Sequence, residues 1–201
     1  MLFRNLAMSQ ASPLKLDAAT TALVLIDLQQ GILPYAKAPR DAAAVLANAA
    51  PLAAAFRAAR APVVLVKVGF SPDGGDALKA QVDAPNPPGA PPANWLDETA
   101  ELPSQPGDLH ILKRQWGAFH GTELDLQLRR RGIRTIVLAG IATSIGVEST
   151  ARNAWELGYD IVFAEDATSG PDADSHAHSF GKIFPRLGRV RSTADVLAAL
   201  K

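Results

Sequence analysis

No cysteine occurs anywhere in the 201-residue chain. That absence excludes disulfide bridges, thiolate metal sites and thiol catalysis together, because each needs a sulfur atom. An excess of one charge is missing too, since 20 basic residues balance 20 acidic ones. A balanced surface has no long-range pull toward nucleic acid or an anionic membrane, and neither partner is expected. The one basic run, Arg129-Arg130-Arg131, falls at the end of a predicted helix, where cations complement the helix dipole. No apolar run approaches a membrane span in length. The opening stretch MLFRNLAMSQASPLKL lacks the apolar core of a secretory signal, so a cytoplasmic protein is expected, with Met8 as an alternative start. Neither GxGxxG, nor a phosphate loop, nor a GxSxG elbow is present.

What is present is alternation. Apolar runs of strand length are separated by helical patterns, and this is the mark of βαβ units around a parallel sheet. The spacing predicts strands at TALVLID (21–27), PVVLVKV (62–68), LHILK (109–113), TIVLAG (135–140), DIVFAE (160–165) and Arg189–Arg191. Helices are predicted over 41–60, 121–131, 144–157, 174–183 and 192–200. Pro51 should kink or split the first of these. The fold class is therefore α/β, a three-layer α/β/α sandwich with a six-stranded, mainly parallel sheet, and 3-2-1-4-5-6 is the strand order considered. One domain over 1–201 is expected. Residues 69–108 break the rhythm, being rich in proline and glycine. So long a connection is a mobile loop or a functional one. A helix-like piece at Ala77–Val82 and the aromatic Trp95 favour a lid that packs down on a pocket.

In open parallel sheets ligands bind beyond the carboxyl ends of the strands, where strand order reverses. Asp27 ends the first predicted strand, Lys113 ends the third, and Gly140–Gly146 leaves the fourth and opens a helix. If strands one and four are neighbours, these features share one cleft. Burial would raise the Asp27 pKa and a neighbouring ammonium would lower it, which suits an acid or base near neutral pH. A structural aspartate that caps a loop or forms a salt bridge is the alternative. Lys113 carries the same two readings. Backbone N–H groups after Gly140 could hold an anion or oxyanion, and Gly146 lets a ligand approach closely. Ser144 is either the N-cap of the next helix or a nucleophile. His176 and His178 stand at i, i+2 and so point to different sides of a helix, which makes a surface helix start the reading and leaves no metal site expected. His110 and His120 have no evident partners.

These residues lie in three blocks: TALVLIDLQQGILP at 21–34, ILKRQWGAFHGTELDLQLRRRGIRTIVLAGIATSIGVESTARNAWELGYD at 111–160, and FAEDATSG at 163–170. In order and spacing they resemble the isochorismatase-like hydrolase family, which includes isochorismatases, nicotinamidases and N-carbamoylsarcosine amidases. The likeness runs from about Thr20 to the C-terminus. The family aspartate falls on Asp27 and the family lysine on Lys113. The nucleophilic cysteine of the amidases falls on Gly146. Isochorismatases proper resemble this chain there, since they also carry glycine, and they cleave an enol ether with a proton from the aspartate. The resemblance further implies a cis peptide between Ile141 and Ala142, backbone donors at Ala142 and Gly146, and pocket positions for Trp116, Phe119 and Gln29. It implies no cofactor, a small-molecule substrate, and a homo-oligomer (dimer or tetramer). The expected function is hydrolysis of a vinyl ether or small carbonyl compound by Asp27 acid/base catalysis. A silent family member that binds a small molecule or partner protein is the alternative.

Overall fold

The computed structural model describes residues 13–84 and 91–201; Met8 lies outside them. Six strands, β1 (Thr21–Ile26), β2 (Val63–Val68), β3 (Leu109–Lys113), β4 (Thr135–Ile141), β5 (Asp160–Ser169) and β6 (Arg189–Arg191), form one sheet in the order β3-β2-β1-β4-β5-β6. All five pairings are parallel. Every residue of β1 is buried, as an unbroken apolar run at the centre of a parallel sheet requires. Alternation then sends Leu23 and Leu25 into one core layer and Ala22, Val24 and Ile26 into the other. The first layer is closed by α1 (Ala42–Ala58) and α6 (Thr193–Ala199). The second is closed by α2 (Leu124–Arg130), α3 (Glu148–Glu156) and α5 (Phe184–Leu187), with α4 (Ala173–His178) leading into α5. Each large apolar side chain buried this way contributes about 1.5–3 kcal/mol. No helix among the described residues is long and apolar enough to cross a membrane.

Four expectations need correction. α1 continues through Pro51 as one helix, so it is not split there. Pro51 and Ala47 are both exposed, so the carbonyl that loses its N–H partner faces solvent, which supplies another. β5 continues to Ser169 rather than stopping at residue 165, because a register shift between Leu138 and Gly140 lets Thr168 and Ser169 pair with Gly140 and Ile141. No helix forms at Ala77–Val82. Leu78 and Val82 are 75% and 57% exposed, and a short helix without a buried apolar face does not pay its nucleation cost. Ser144 is not an N-cap. The helical path begins as a π-helical turn at Thr143–Val147, with Ser144 inside it and no side-chain cap.

The described parts of 69–108 carry no helix or strand, yet they are tied down. Arg114 Nε stands 2.8 Å from Asp76, Lys67 Nζ donates to Leu96 O at 2.8 Å, and Arg57 Nη2 meets Asp108 at 2.6 Å.

Candidate active site

β1 and β4 are neighbours, so strand order reverses between them and their carboxyl ends frame the crevice. Asp27 is the first residue after β1. Its backbone φ is +54°, a region that non-glycine residues adopt only where the surroundings impose it. Its N–H donates to Val66 O at 2.9 Å, which anchors that bend to β2. The side chain is buried. Lys113 Nζ, from the end of β3, donates to Asp27 Oδ2 at 2.7 Å and to Gln115 O at 3.1 Å. Asp27 Oδ1 is buried and has no hydrogen-bond partner among the described residues. Burial pushes the Asp27 carboxyl up to about 6, with the Lys113 ammonium pulling the other way. A carboxyl in that range carries its proton part of the time near neutrality, as an acid/base catalyst must.

Gly146 lies directly beside this pair. A methyl group placed on it would stand 3.2 Å from Asp27 Oδ2 and 3.0 Å from the Ile26 side chain. The Ile141–Ala142 peptide is cis, and Ala142 O accepts from the N–H groups of Ile145 and Val147 at 3.1 and 3.2 Å. Thr150 joins the turn to the loop between β3 and α2: its hydroxyl donates to Gly146 O at 2.7 Å and accepts from Ala118 N at 3.1 Å.

The remaining expected site residues divide. Trp116 is brought close by its backbone, its carbonyl standing 3.6 Å from the added methyl on Gly146. Its side chain is 64% exposed. Phe119 is buried in the second core layer against Tyr159, ring centroids 5.6 Å apart. Gln29 has its polar atoms occupied: Nε2 donates to Val68 O and Trp95 O at 3.1 and 2.8 Å, and Oε1 accepts from Val68 N at 2.8 Å. It fastens the 91–108 stretch to β2. Trp95 Nε1 donates to Val68 O at 2.7 Å, and its ring lies against Gly31, where a methyl group would meet it at 2.4 Å. Trp95→Ala removes that bond and the packing, and is expected to cost about 2–3 kcal/mol locally. Limited proteolysis checks it, with faster cleavage inside 69–108 and the rest of the chain protected.

Ser144 is half-buried, and the imidazole at this turn, His176, is engaged by Thr143 instead. His176 is the residue that the surface reading missed: it is buried, with both ring nitrogens bonded. A signal for it exists. His176, Ser179, Phe180, Ile183 and Phe184 follow helical spacing, so extending the apolar stripe backward reaches His176. Among the described residues no group of three or more His, Asp or Glu side chains is arranged to hold a metal ion.

Residues 21–195 match the isochorismatase domain. The uncharacterized isochorismatase family protein YecD of Escherichia coli O157:H7 is 58% identical over 187 residues, covering 93% of this chain and 100% of that protein. The ureidoacrylate amidohydrolase RutB of Pseudomonas syringae pv. syringae (strain B728a) is 34% identical, covering 93% and 86%. The structure of an isochorismatase family protein from Burkholderia thailandensis superposes with a TM-score of 0.89 at 48% identity, covering 94% and 98%. The chain therefore belongs to the isochorismatase family, a family of hydrolases.

Proposed function

We propose that this protein hydrolyses a small vinyl ether, with Asp27 as general acid and no covalent enzyme intermediate. The observation that carries this reading is the Asp27 carboxyl itself: buried, its Oδ2 on Lys113, its Oδ1 unpartnered, and its pKa near 6. Glycine stands where a nucleophile would face that carboxyl. The protonated carboxyl gives its proton to the electron-rich vinyl carbon, and the double-bond electrons form the new C–H bond. Water adds to the resulting oxocarbenium carbon and returns a proton to the carboxylate. The hemiketal then collapses to a carbonyl compound and an alcohol. Lys113 holds Asp27 in place and stabilises the carboxylate left after proton donation, while the Ala142–Gly146 turn presents backbone N–H groups to the substrate. The ordered 91–108 stretch, fastened by Gln29 and Trp95, acts as the lid.

The likeness to a ureidoacrylate amidohydrolase makes amides the second substrate class to try. A panel of vinyl ethers, ureido amides and small esters, assayed from pH 5 to 8, tests the proposal. Because the acid form is required, the vinyl-ether rate is expected to be flat below the Asp27 pKa of about 6 and to fall about tenfold per pH unit above it. A serine-reactive phosphonate is expected to leave the protein unmodified; labelling that disappears in Ser144→Ala would overturn the non-covalent scheme. Ligand-induced thermal stabilisation with no turnover anywhere in the panel would establish a silent binding protein instead.

A further inference from the structure

A second, partly buried polar cluster lies on the β5 side of the same turn and takes no part in the acid chemistry. His176 Nε2 lies 3.0 Å from Glu165 Oε1, and Nδ1 lies 2.8 Å from Thr143 Oγ1. Arg40 Nη2 donates to the same Glu165 oxygen at 2.9 Å, and Arg40 Nη1 is held by the carbonyls of Glu165 and Thr168 at 2.8 and 2.6 Å. The direction of every bond follows from charge. Burial works to raise the Glu165 carboxyl, but the hydrogen bonds from Arg40 and His176 outweigh it and hold it below the usual range. An ionised carboxylate only accepts, so His176 Nε2 carries the hydrogen. Burial lowers the His176 pKa against the pull of Glu165, which leaves the ring neutral with a lone pair on Nδ1. The Thr143 hydroxyl must then donate to it.

The order carboxylate, imidazole, hydroxyl is that of a nucleophile relay. Thr143 is only 1% exposed, however, and faces Gly170, where an added methyl would stand 3.6 Å from Oγ1. No substrate carbon reaches that oxygen. What the chain of bonds does is hold. Thr143 opens the π-helical turn that follows the cis peptide and carries Gly146 to Asp27, and such turns concentrate at functional sites.

We infer that His176 is a positioning residue: acting through Thr143, it sets the geometry of the Ala142–Val147 turn and so the placement of the backbone donors opposite Asp27. Its effect on rate rests on the acid/base reading of Asp27; its effect on the turn does not. Two amides separate the two ring nitrogens. His176→Asn keeps an acceptor near the Nδ1 position for Thr143 and gives up Glu165. His176→Gln keeps a donor for Glu165 and gives up Thr143.

Hydrogen exchange at the Ile145 and Val147 amides, which bond to Ala142 O, reads the turn directly. His176→Gln is expected to accelerate it roughly five- to tenfold, and His176→Asn to stay within roughly twofold. Thr143→Val should match His176→Gln, and the double variant should add nothing further. Thr143→Ser, which keeps the hydroxyl, should exchange like the parent and decides the matter if the Gln variant fails to fold. Where a substrate turns over, kcat should fall in the same variants with KM little changed. Equal effects of Asn and Gln, or additive effects of the Thr143 and His176 changes, would overturn the inference. Absence of turnover in the parent would instead overturn the acid/base reading, and the exchange pattern would stand apart from it.

Discussion

Asn in place of Asp27 is expected to reduce turnover by at least about 10²–10⁴-fold, the range contributed by a positioned acid or base. The amide has the same shape and its oxygen still accepts from Lys113, so the loss is of a transferable proton rather than of geometry. The folded Asp27 pKa is raised from 3.8 to about 6, and that net shift already includes the attraction of the buried Lys113 ammonium. A carboxyl whose folded pKa is raised contributes stability that is present below its unfolded pKa and lost as pH rises through the folded one. By pH 7 that loss is roughly 3 kcal/mol. Asparagine matches the protonated carboxyl in charge and shape, so the variant does not share the loss and should be no less stable than the parent at pH 7. Thermal melts are the check: the parent should lose stability between pH 4 and 6 from this group, and the variant should lack that segment of the profile. Turnover within tenfold of the parent would show that Asp27 is not the acid.

The second large effect is on the fold. Gly140, the penultimate residue of β4, has a φ of +126°, where a side chain is strained whatever the space. There is no space: a methyl group would lie 2.1 Å from Ile26 O and 2.7 Å from Ile26 N. Gly140 is paired with Ile26 on one side and Thr168 on the other, so neither strand can move aside without breaking the centre of the sheet. Gly140→Ala is expected to destabilise by more than about 4 kcal/mol, the size reserved for strain and overpacking together. That is a large part of a typical total of about 5–15 kcal/mol. Chemical denaturation should give a strongly reduced midpoint or no cooperative transition. Gly132→Ala is the control: it also has a positive φ, +71°, but nothing lies within 4 Å of the added methyl, so only the backbone strain of about 1 kcal/mol applies.

The architecture was legible because its signal is local. β1 and β4 are short apolar runs rich in β-branched residues, the pattern of a strand buried on both faces. Asp27, Lys113 and Gly146 were legible by position, each sitting where a strand ends or a helix begins. The misses share a different cause. Whether Pro51 splits its helix depends in part on whether solvent can satisfy the carbonyl it leaves free, and which face of α1 meets solvent is set by the sheet beneath it. The helical stripe through Phe180 and Phe184 marks His176 as inward-facing, but it says nothing of what the ring bonds to. Its partners, Glu165 and Thr143, lie 11 and 33 residues away.

Lack of cysteine, the carboxylate at the end of the first strand and the run of parallel-sheet strands were plain in the sequence, whereas that the first strand lies beside the fourth was settled by the sheet itself. Hydrophobic periodicity and the ends of strands are properties of short windows, so the chain alone determined them. Tertiary structure alone decided that Asp27 keeps one oxygen on Lys113 and leaves the other unpartnered among the described residues, that the polar atoms of Gln29 and Trp95 bond to backbone groups, and that His176 bonds to Thr143 in the turn beside Asp27. Desolvation and hydrogen-bond direction depend on atoms from distant parts of the chain arriving within about 3 Å of one another, and no local pattern carries that information.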